Sequence, residues 1–347
     1  MIPRLLSALL VSATVAASAE EGFVPLFNGK DLEGWVNVNC APETWAVKEG
    51  MITCTGKPTG GMRTVKQYEN FILELEWRHL RPSGHAGVFI WASPIAAPGV
   101  PFLRAIEVQV LDHGYGNTEN YTTHGDVFPI HGATMVPFGR HRGMRSFPTE
   151  NRSKPSPEWN HYRIDANNGV LRLSVNGKEV SGGEKCVWRK GYVALESEGS
   201  PTEWRNIRIK ELPSTNAKPE ETAPEAQGHR PLYTGADLRG WKTETPARWQ
   251  PSVWRLVVPE GPAAAPLVTD GEFGDAEFIL DCRLPKAGTS PVVPAIFLRG
   301  REAAEYRIPL ELAGPGKWQR FTITSKGRSV TIRSSDKETT RELPADA

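Results

Sequence analysis

Ala105-Ile106-Glu107-Val108-Gln109-Val110-Leu111-Asp112 is the stretch that decides the architecture of this chain. Ile106, Val108 and Val110 recur at every second position, with Glu107 and Gln109 between them. Successive side chains of a β-strand leave opposite faces, so the alternation predicts a half-buried strand whose apolar row faces a core. The other face then carries a carboxylate beside a carboxamide, and Asp112 stands where the strand runs out. A solvated sheet face is the ordinary meaning of such a polar row. The neighbouring segments give it another one.

Those segments read as strands too: Thr44 to Val47, Phe71 to Trp77, Val88 to Trp91, Tyr162 to Asp165, Val170 to Val175, Tyr192 to Glu196 and Trp204 to Lys210. Asn176-Gly177 supplies the positive φ angles of a type I′ hairpin turn. No long segment has a 3.6-residue period. Many short antiparallel strands predict an all-β chain built from jelly-roll β-sandwiches, whose curved sheets can form a cleft.

The 347 residues are enough for two or three domains, each with its own core. Lys and Arg number 41 against 40 Asp and Glu, so no basic field points to nucleic acid or an anionic membrane. Eleven Trp, 33 Gly and 29 Pro suit a turn-rich β architecture. Core packing is the expected place for most of the Trp, although an indole face also suits the C–H face of a sugar. Arg4, the apolar run Leu5 to Ala17 and the small residues Ala17-Ser18-Ala19 read as a signal peptide over residues 1–19. The mature chain is therefore expected in the periplasm or outside the cell. Export permits disulfides, and of Cys40, Cys54, Cys186 and Cys282 the first two could close a short loop, but the spacing fits no zinc motif.

Leu26-Phe27-Asn28-Gly29-Lys30-Asp31-Leu32-Glu33-Gly34-Trp35 returns as Leu232-Tyr233-Thr234-Gly235-Ala236-Asp237-Leu238-Arg239-Gly240-Trp241. A repeat about 200 residues apart predicts duplicated domains rather than a solenoid. The expected division is a sandwich over residues 20–212, a polar, Pro-rich linker over 213–228, and a second, degenerate sandwich over 229–347. The stretch His113 to Glu150 reads as a long loop arching over a binding face.

The opening decapeptide, Phe71-Ile72-Leu73-Glu74-Leu75-Glu76-Trp77-Arg78, Glu107-Val108-Gln109-Val110-Leu111-Asp112, Glu158-Trp159-Asn160 and the Asn176-Gly177 hairpin follow one another in a known order. The chain resembles the 3-keto-disaccharide hydrolase domain family over residues 23–212, and more weakly in its second copy. The resemblance implies a concanavalin-like sandwich, export, and action on glycosides oxidised to a ketone at C3. Such a ketone acidifies the C2 proton, so a base can remove it, the group at C1 can leave, and water can add back. The route needs a base, an electrophile for the enolate and a proton donor; it differs from a glycosidase carboxylate pair.

On this reading Glu107 or Asp112 is the base or a metal carboxylate, and Arg78 or a bound divalent cation stabilises the enolate. Gln109 meets a sugar hydroxyl, His124 is a candidate acid or metal ligand, and Trp91 is a stacking platform. Glu76 joins Arg78 on one strand face, with the two strands expected as neighbours in one sheet. A solvated Glu76–Arg78 ion pair and a loop role for His124 are the plain alternatives. The family usually carries Asn-Ser-Gly where this chain has His85-Ala86-Gly87, and Arg where it has Trp91. The second copy reads Tyr306-Arg307-Ile308 where the first has Glu107-Val108-Gln109, so it is expected to lack catalysis. A non-catalytic glycan-binding or structural surface protein is the competing reading, and no spacing names a metal.

Overall fold

The computed structural model describes residues 21–262, 264–285, 294–298, 307–312 and 314–344. The signal segment, Tyr306 and Arg299 lie outside the described residues. Residues 21–212 form two antiparallel sheets packed face to face. The first runs, in spatial order, β10 (Thr134–Pro137), β15 (Lys178–Val187), β14 (Val170–Val175), β13 (Asn160–Asn167), β6 (Phe71–His79), β17 (Thr202–Glu211), β4 (Met51–Cys54) and β3 (Trp45–Lys48), with β1 (Val24–Pro25) on β17. The second runs β11 (His141–Arg142), β12 (Arg145–Ser146), β9 (Val127–Ile130), β8 (Ala105–Leu111), β7 (His85–Ala92), β16 (Tyr192–Ser197), β5 (Gly60–Thr64) and β2 (Trp35–Val38). Only short 3-10 turns interrupt the strands among the described residues. The Asn176-Gly177 turn has φ angles of 48° and 84°, as a type I′ hairpin requires.

Between the sheets lies one core. Ile106, Val108 and Val110 reach it from β8, and Leu73, Leu75, Ile164, Leu173, Trp204 and Ile209 meet them from the other sheet. Trp35, Trp45, Trp77 and Trp91 are buried in it as well. The alternation read in β8 therefore holds, but the opposite row is not solvated. All seven residues of the strand are buried. A second apolar cluster of Val38, Phe89, Ala92, Leu103, Ala105, Tyr192 and Ala194 covers half of the outer face of the eight-stranded sheet.

Trp91 is a correction. Strict alternation from Phe89 places it on the outer face, yet its φ is 53° and the β7–β16 register slips between Tyr192 and Ala194. That bulge inserts one residue and turns the indole inward. Trp91 is 1% exposed, and its Nε1 donates to the Glu69 carbonyl at 2.8 Å. It cannot stack on a sugar.

Other expectations change in the same way. The stretch His113 to Glu150 contributes β9 to β12 rather than a continuous loop. Cys40, Cys54 and Cys186 are buried free thiols and Cys282 is a free, partly exposed one; burial pushes the Cys40 thiol up to about 12. The segment after residue 212 is a connection, but a docked one. Glu69 accepts from Ser214 Oγ, from Thr215 N and Oγ1 and from Ala217 N at 2.6–3.0 Å. Arg189 pairs with Glu221 at 2.8 Å, and Ala223 N donates to the Lys190 carbonyl.

The C-terminal part holds a four-stranded sheet of β22 (Ala276–Cys282), β25 (Gln319–Lys326), β26 (Ser329–Ser334) and β27 (Lys337–Glu342). Three two-stranded ladders accompany it: β18 (Trp241–Lys242) with β21 (Val268–Thr269), β19 (Gln250–Ser252) with β20 (Arg255–Val257), and β23 (Ala295–Phe297) with β24 (Arg307–Pro309). Ile308, Leu310, Phe321, Ile323, Val330 and Leu343 form its own small core.

Replacing Glu69 by Ala should free residues 213–218 without opening the sandwich. Limited proteolysis should cut there in the variant first, while the main thermal transition moves little; equal cutting in both proteins would show that the strap is held by something else.

Candidate functional site

The uncovered half of the eight-stranded sheet's outer face carries the chemistry. Strand β7 sits between β8 and β16, so three polar rows meet there. Gly87 lies opposite Gln109 and Phe89 opposite Glu107, while Glu196 lies opposite Gly61 of β5. Ligand atoms of His85, Glu107 and Glu196 all lie within 4.8 Å of one another. His85 Nδ1 is 3.0 Å from Glu198 Oε2. Glycine is required between the acids: a Cβ on Gly87 would stand 2.9 Å from Glu196 Oε2 and 3.1 Å from Glu107 Oε1.

Burial sets the electrostatics. Glu107 and Glu196 are 5% and 2% exposed. Burial pushes Glu107 up to about 8, with the charge of Glu198 adding to it. Glu196 is also raised well above the ordinary carboxylate range, by burial first and then by Glu107 and Glu198. Glu198, nearer solvent, is raised by burial to about 7. His85 moves down to about 4, mainly because burial disfavours the imidazolium, so its ring is neutral near pH 7. Two charges within 4.8 Å repel by about 3 kcal/mol or more at an effective dielectric of about 20. Some positive species must therefore sit among these acids: a shared proton or a cation.

A divalent cation fits the residues present. The set offers one neutral imidazole and two carboxylates, and Glu196 Oε2 is buried with no hydrogen-bond partner. Behind Glu107 runs a fixed chain. Gln109 Nε2 donates to Glu107 Oε1 at 3.3 Å and to the Ala86 carbonyl at 3.4 Å, while its Oε1 accepts from Arg145 Nη1 at 3.3 Å. Arg145 in turn pairs with the fully buried Asp126 at 3.0 Å and lies 3.3 Å over the Phe128 ring. At the mouth, the Tyr115 ring is 5.5 Å from His85 and 43% exposed, with Tyr121 behind it.

Of the residues expected from sequence, the fold brings Glu107 and Gln109 into this cluster. Gln109 is 3% exposed with both ends of its amide engaged, so it orients Glu107 instead of meeting a sugar hydroxyl. Arg78 and Glu76 are elsewhere, because β6 belongs to the other sheet and the whole core intervenes. On that sheet's outer face Arg78 pairs with Glu203 at 2.6 Å and stacks on Trp159, and Glu76 pairs with Arg205 at 2.6 Å. Asp112 accepts from the backbone N–H groups of Ser83, Gly114 and Ser156 at 2.7–2.8 Å. Burial works against its ionisation, yet those three donors outweigh it and hold the carboxyl below its usual value. It is a loop anchor. His124 bonds to Asn117, Thr123 and Ser153 and packs edge-on against His113, with none of the clustered acids among its partners.

His85, Glu196, Glu198, Arg145, Asp126 and Tyr115 were not read as site residues. A signal was present for two of them. Glu196 and Glu198 share one face of an otherwise apolar strand, as Glu107 and Gln109 do. A groove of about 400 Å³ near Pro42, Leu232 and Phe273, between the two parts, carries no such acids.

The fold and the cluster define an antiparallel β-sandwich with a buried acid cluster on one outer face. Residues 22–210 match the 3-keto-alpha-glucoside-1,2-lyase-like domain, and the chain belongs to that family. Two solved structures from Parabacteroides distasonis ATCC 8503, each titled a "putative glycosyl hydrolase", are similar to it. One is 22% identical, with a TM-score of 0.44 over 56% of this chain and 95% of that one. The other is 24% identical, with a TM-score of 0.43 over 55% and 99%. The carbohydrate-binding module CBM66 from Bacillus subtilis is 12% identical, with a TM-score of 0.37 over 51% and 95%. No curated protein matches the chain.

The raised carboxyl groups make a signed prediction. Between pH 6.5 and 8 the folded protein holds protons on Glu107 and Glu198 that the unfolded chain, with ordinary carboxyl groups, has released. Stability of the metal-free protein should therefore fall as pH rises through this window, and Glu107→Gln should flatten the fall. Thermal melts at pH 6.5, 7 and 8 measure it. A divalent cation should raise the melting temperature more at pH 8 than at pH 6.5.

Proposed function

We propose that the chain cleaves 3-keto-glycosides by elimination at C1 and C2, followed by addition of water. The observation that carries this is the meeting of His85, Glu107, Glu196 and Glu198 on one buried patch inside the segment that matches the family. Glu198 is the best-placed base. It stands at the mouth, 30% exposed, and its value near 7 suits both accepting and returning a proton at neutral pH.

Glu198 takes the C2 proton, and the C–H electron pair becomes the C2–C3 double bond of an enolate. As the C3 ketone re-forms, the C2–C3 π pair moves to make a C1–C2 double bond, the C1–O bond breaks with its electron pair on the leaving oxygen, and that oxygen receives the proton from Glu198. Water then adds at C1 of the resulting enone, which completes net hydrolysis. His85, Glu107 and Glu196 would hold a divalent cation, which when bound would polarise the C3 ketone. Gln109 keeps Glu107 aimed into the cluster, and Tyr115 offers the exposed ring at its entrance for the sugar's apolar face.

Residues 1–19, read as an export signal, support action in the periplasm or outside the cell. No helix among the described residues is long and apolar enough to cross a membrane. The C-terminal part derives, on this reading, from the same unit. Trp241 Nε1 donates to the Leu232 carbonyl as Trp35 Nε1 does to Leu26, at 2.8 and 2.9 Å. Its sequence reads Tyr306-Arg307-Ile308 where the first copy reads Glu107-Val108-Gln109, which supports a role for it without catalysis.

Purified protein incubated with a 3-keto-glycoside bearing a chromogenic leaving group should release that group, and a chelator should slow the release. Glu198→Gln should lower kcat about 100-fold or more with a small change in KM, and should erase the pH–rate limb near 7. Metal-replete wild type that releases nothing from α- or β-linked 3-keto-glycosides overturns the proposal.

A further inference from the structure

The connection between β7 and β8 runs from Ser93 to Arg104, far longer than the two to five residues or so that usually join neighbouring antiparallel strands. Its inner side is part of the site's wall. Leu103 is fully buried on Phe89, Ala105 and Ala194, which precede or follow Gly87, Glu107 and Glu196 on the same faces of their strands. A Cβ on Gly61, the partner of Glu196, would stand 3.4 Å from Leu103 Cδ1. At its base the connection is tied to the sandwich. Arg63 Nε donates to the Pro94 carbonyl at 2.8 Å, and Ser93 N donates to the Arg104 carbonyl at 2.9 Å.

The tip is held by the other part of the chain. Gly99 N donates to Asp281 Oδ2 at 2.8 Å, and Arg320 Nη2 donates to the Ala96 carbonyl at 2.9 Å. Asp281 and Arg320 lock each other through two bonds of 2.7 and 2.8 Å. Gly99 has φ 72°, and a Cβ there would stand 2.4 Å from Trp318 Cγ, so the bare backbone lies against the indole. Trp318 is backed by Trp254 at 5.6 Å and by Arg283 over its ring. Gly99 is buried even though it is the apex of a surface loop. Asp281 and Arg320 face each other across β22 and β25, so a rigid sheet carries the grip.

We infer that the C-terminal part works in cis as a clamp, with Asp281, Trp318 and Arg320 as positioning residues for the wall of the acid cluster. This rests on the reading of that cluster as the active site. It gives the C-terminal part a role that needs no catalytic acids of its own. A loop with its apex fixed leaves fewer conformations to be lost when substrate binds, so the clamp acts on substrate affinity more than on the chemical step.

The test uses the full chain with Arg320→Ala, and with Arg320→Lys, which keeps the charge but loses the two-pronged geometry. Hydrogen exchange should speed up about tenfold or more at the Ala97 and Gly99 amides in Arg320→Ala, and less in Arg320→Lys. Amides of β25 and β26 should keep their protection. KM for a 3-keto-glycoside should rise severalfold, with kcat changed less. Unchanged exchange at Ala97 and Gly99 in both variants overturns the clamp. Faster exchange with unchanged KM overturns its positioning role. If Arg320→Ala melts the C-terminal sheet, Arg320→Lys decides. Wild type without turnover would sink the proposed activity, while the exchange data would still decide the clamp.

Discussion

Two carboxylates buried against each other are the constraint around which this molecule is built. Glu107 and Glu196 are removed from water on neighbouring rows of one sheet, at a separation where both cannot ionise alone. Everything near them answers that cost. Gly87 leaves the space between them open, and His85 reaches in beside them with its ring 3.0 Å from Glu198. Gln109 carries the influence of the Arg145–Asp126 pair to Glu107. Such an arrangement weakens a fold, and perturbed carboxyl groups of this kind cluster at functional sites.

The two outer faces of the sandwich show how differently charges behave by place. On the nine-stranded sheet, Glu74 is caught between Arg163 at 2.9 Å and Arg208 at 2.5 Å, and the acids there are held by guanidinium groups. The arginines pull the Glu74 carboxyl below its usual range even though its own burial opposes them. On the eight-stranded sheet the acids outnumber their cations, and their protons are held more tightly. The first face is a lattice of ion pairs that holds strands together. The second is a buried patch of carboxyl groups with raised proton affinity.

The reading of a reactive acid row depended on strand pairing across three segments. Alternation in Ala105 to Leu111 was legible, and so were the sandwich architecture, the Asn176-Gly177 hairpin and the membership of Glu107 in a polar row. The partner strands were not. Glu76 and Arg78 share a face, as their spacing requires, but local sequence carries no information on which of two sheets a strand joins. Arg78 was therefore assigned to the wrong side of a core. Trp91 failed for a different reason: one inserted residue in β7 reverses the face of everything after it.

Local periodicity and turn chemistry, which depend on a few neighbouring residues, are what the amino-acid sequence determined by itself. They specified an all-β chain, the inward row of β8, and a polar row that had to be either wet or functional. Tertiary structure alone decided between those two. It placed β7 between β8 and β16, which brought Glu107 and Glu196 together in a buried cluster, and it laid the Ser93 to Arg104 connection over the apolar half of the same face. Burial and the proximity of like charges come from contacts between residues as far apart as His85 and Glu196, and no short window of sequence contains them.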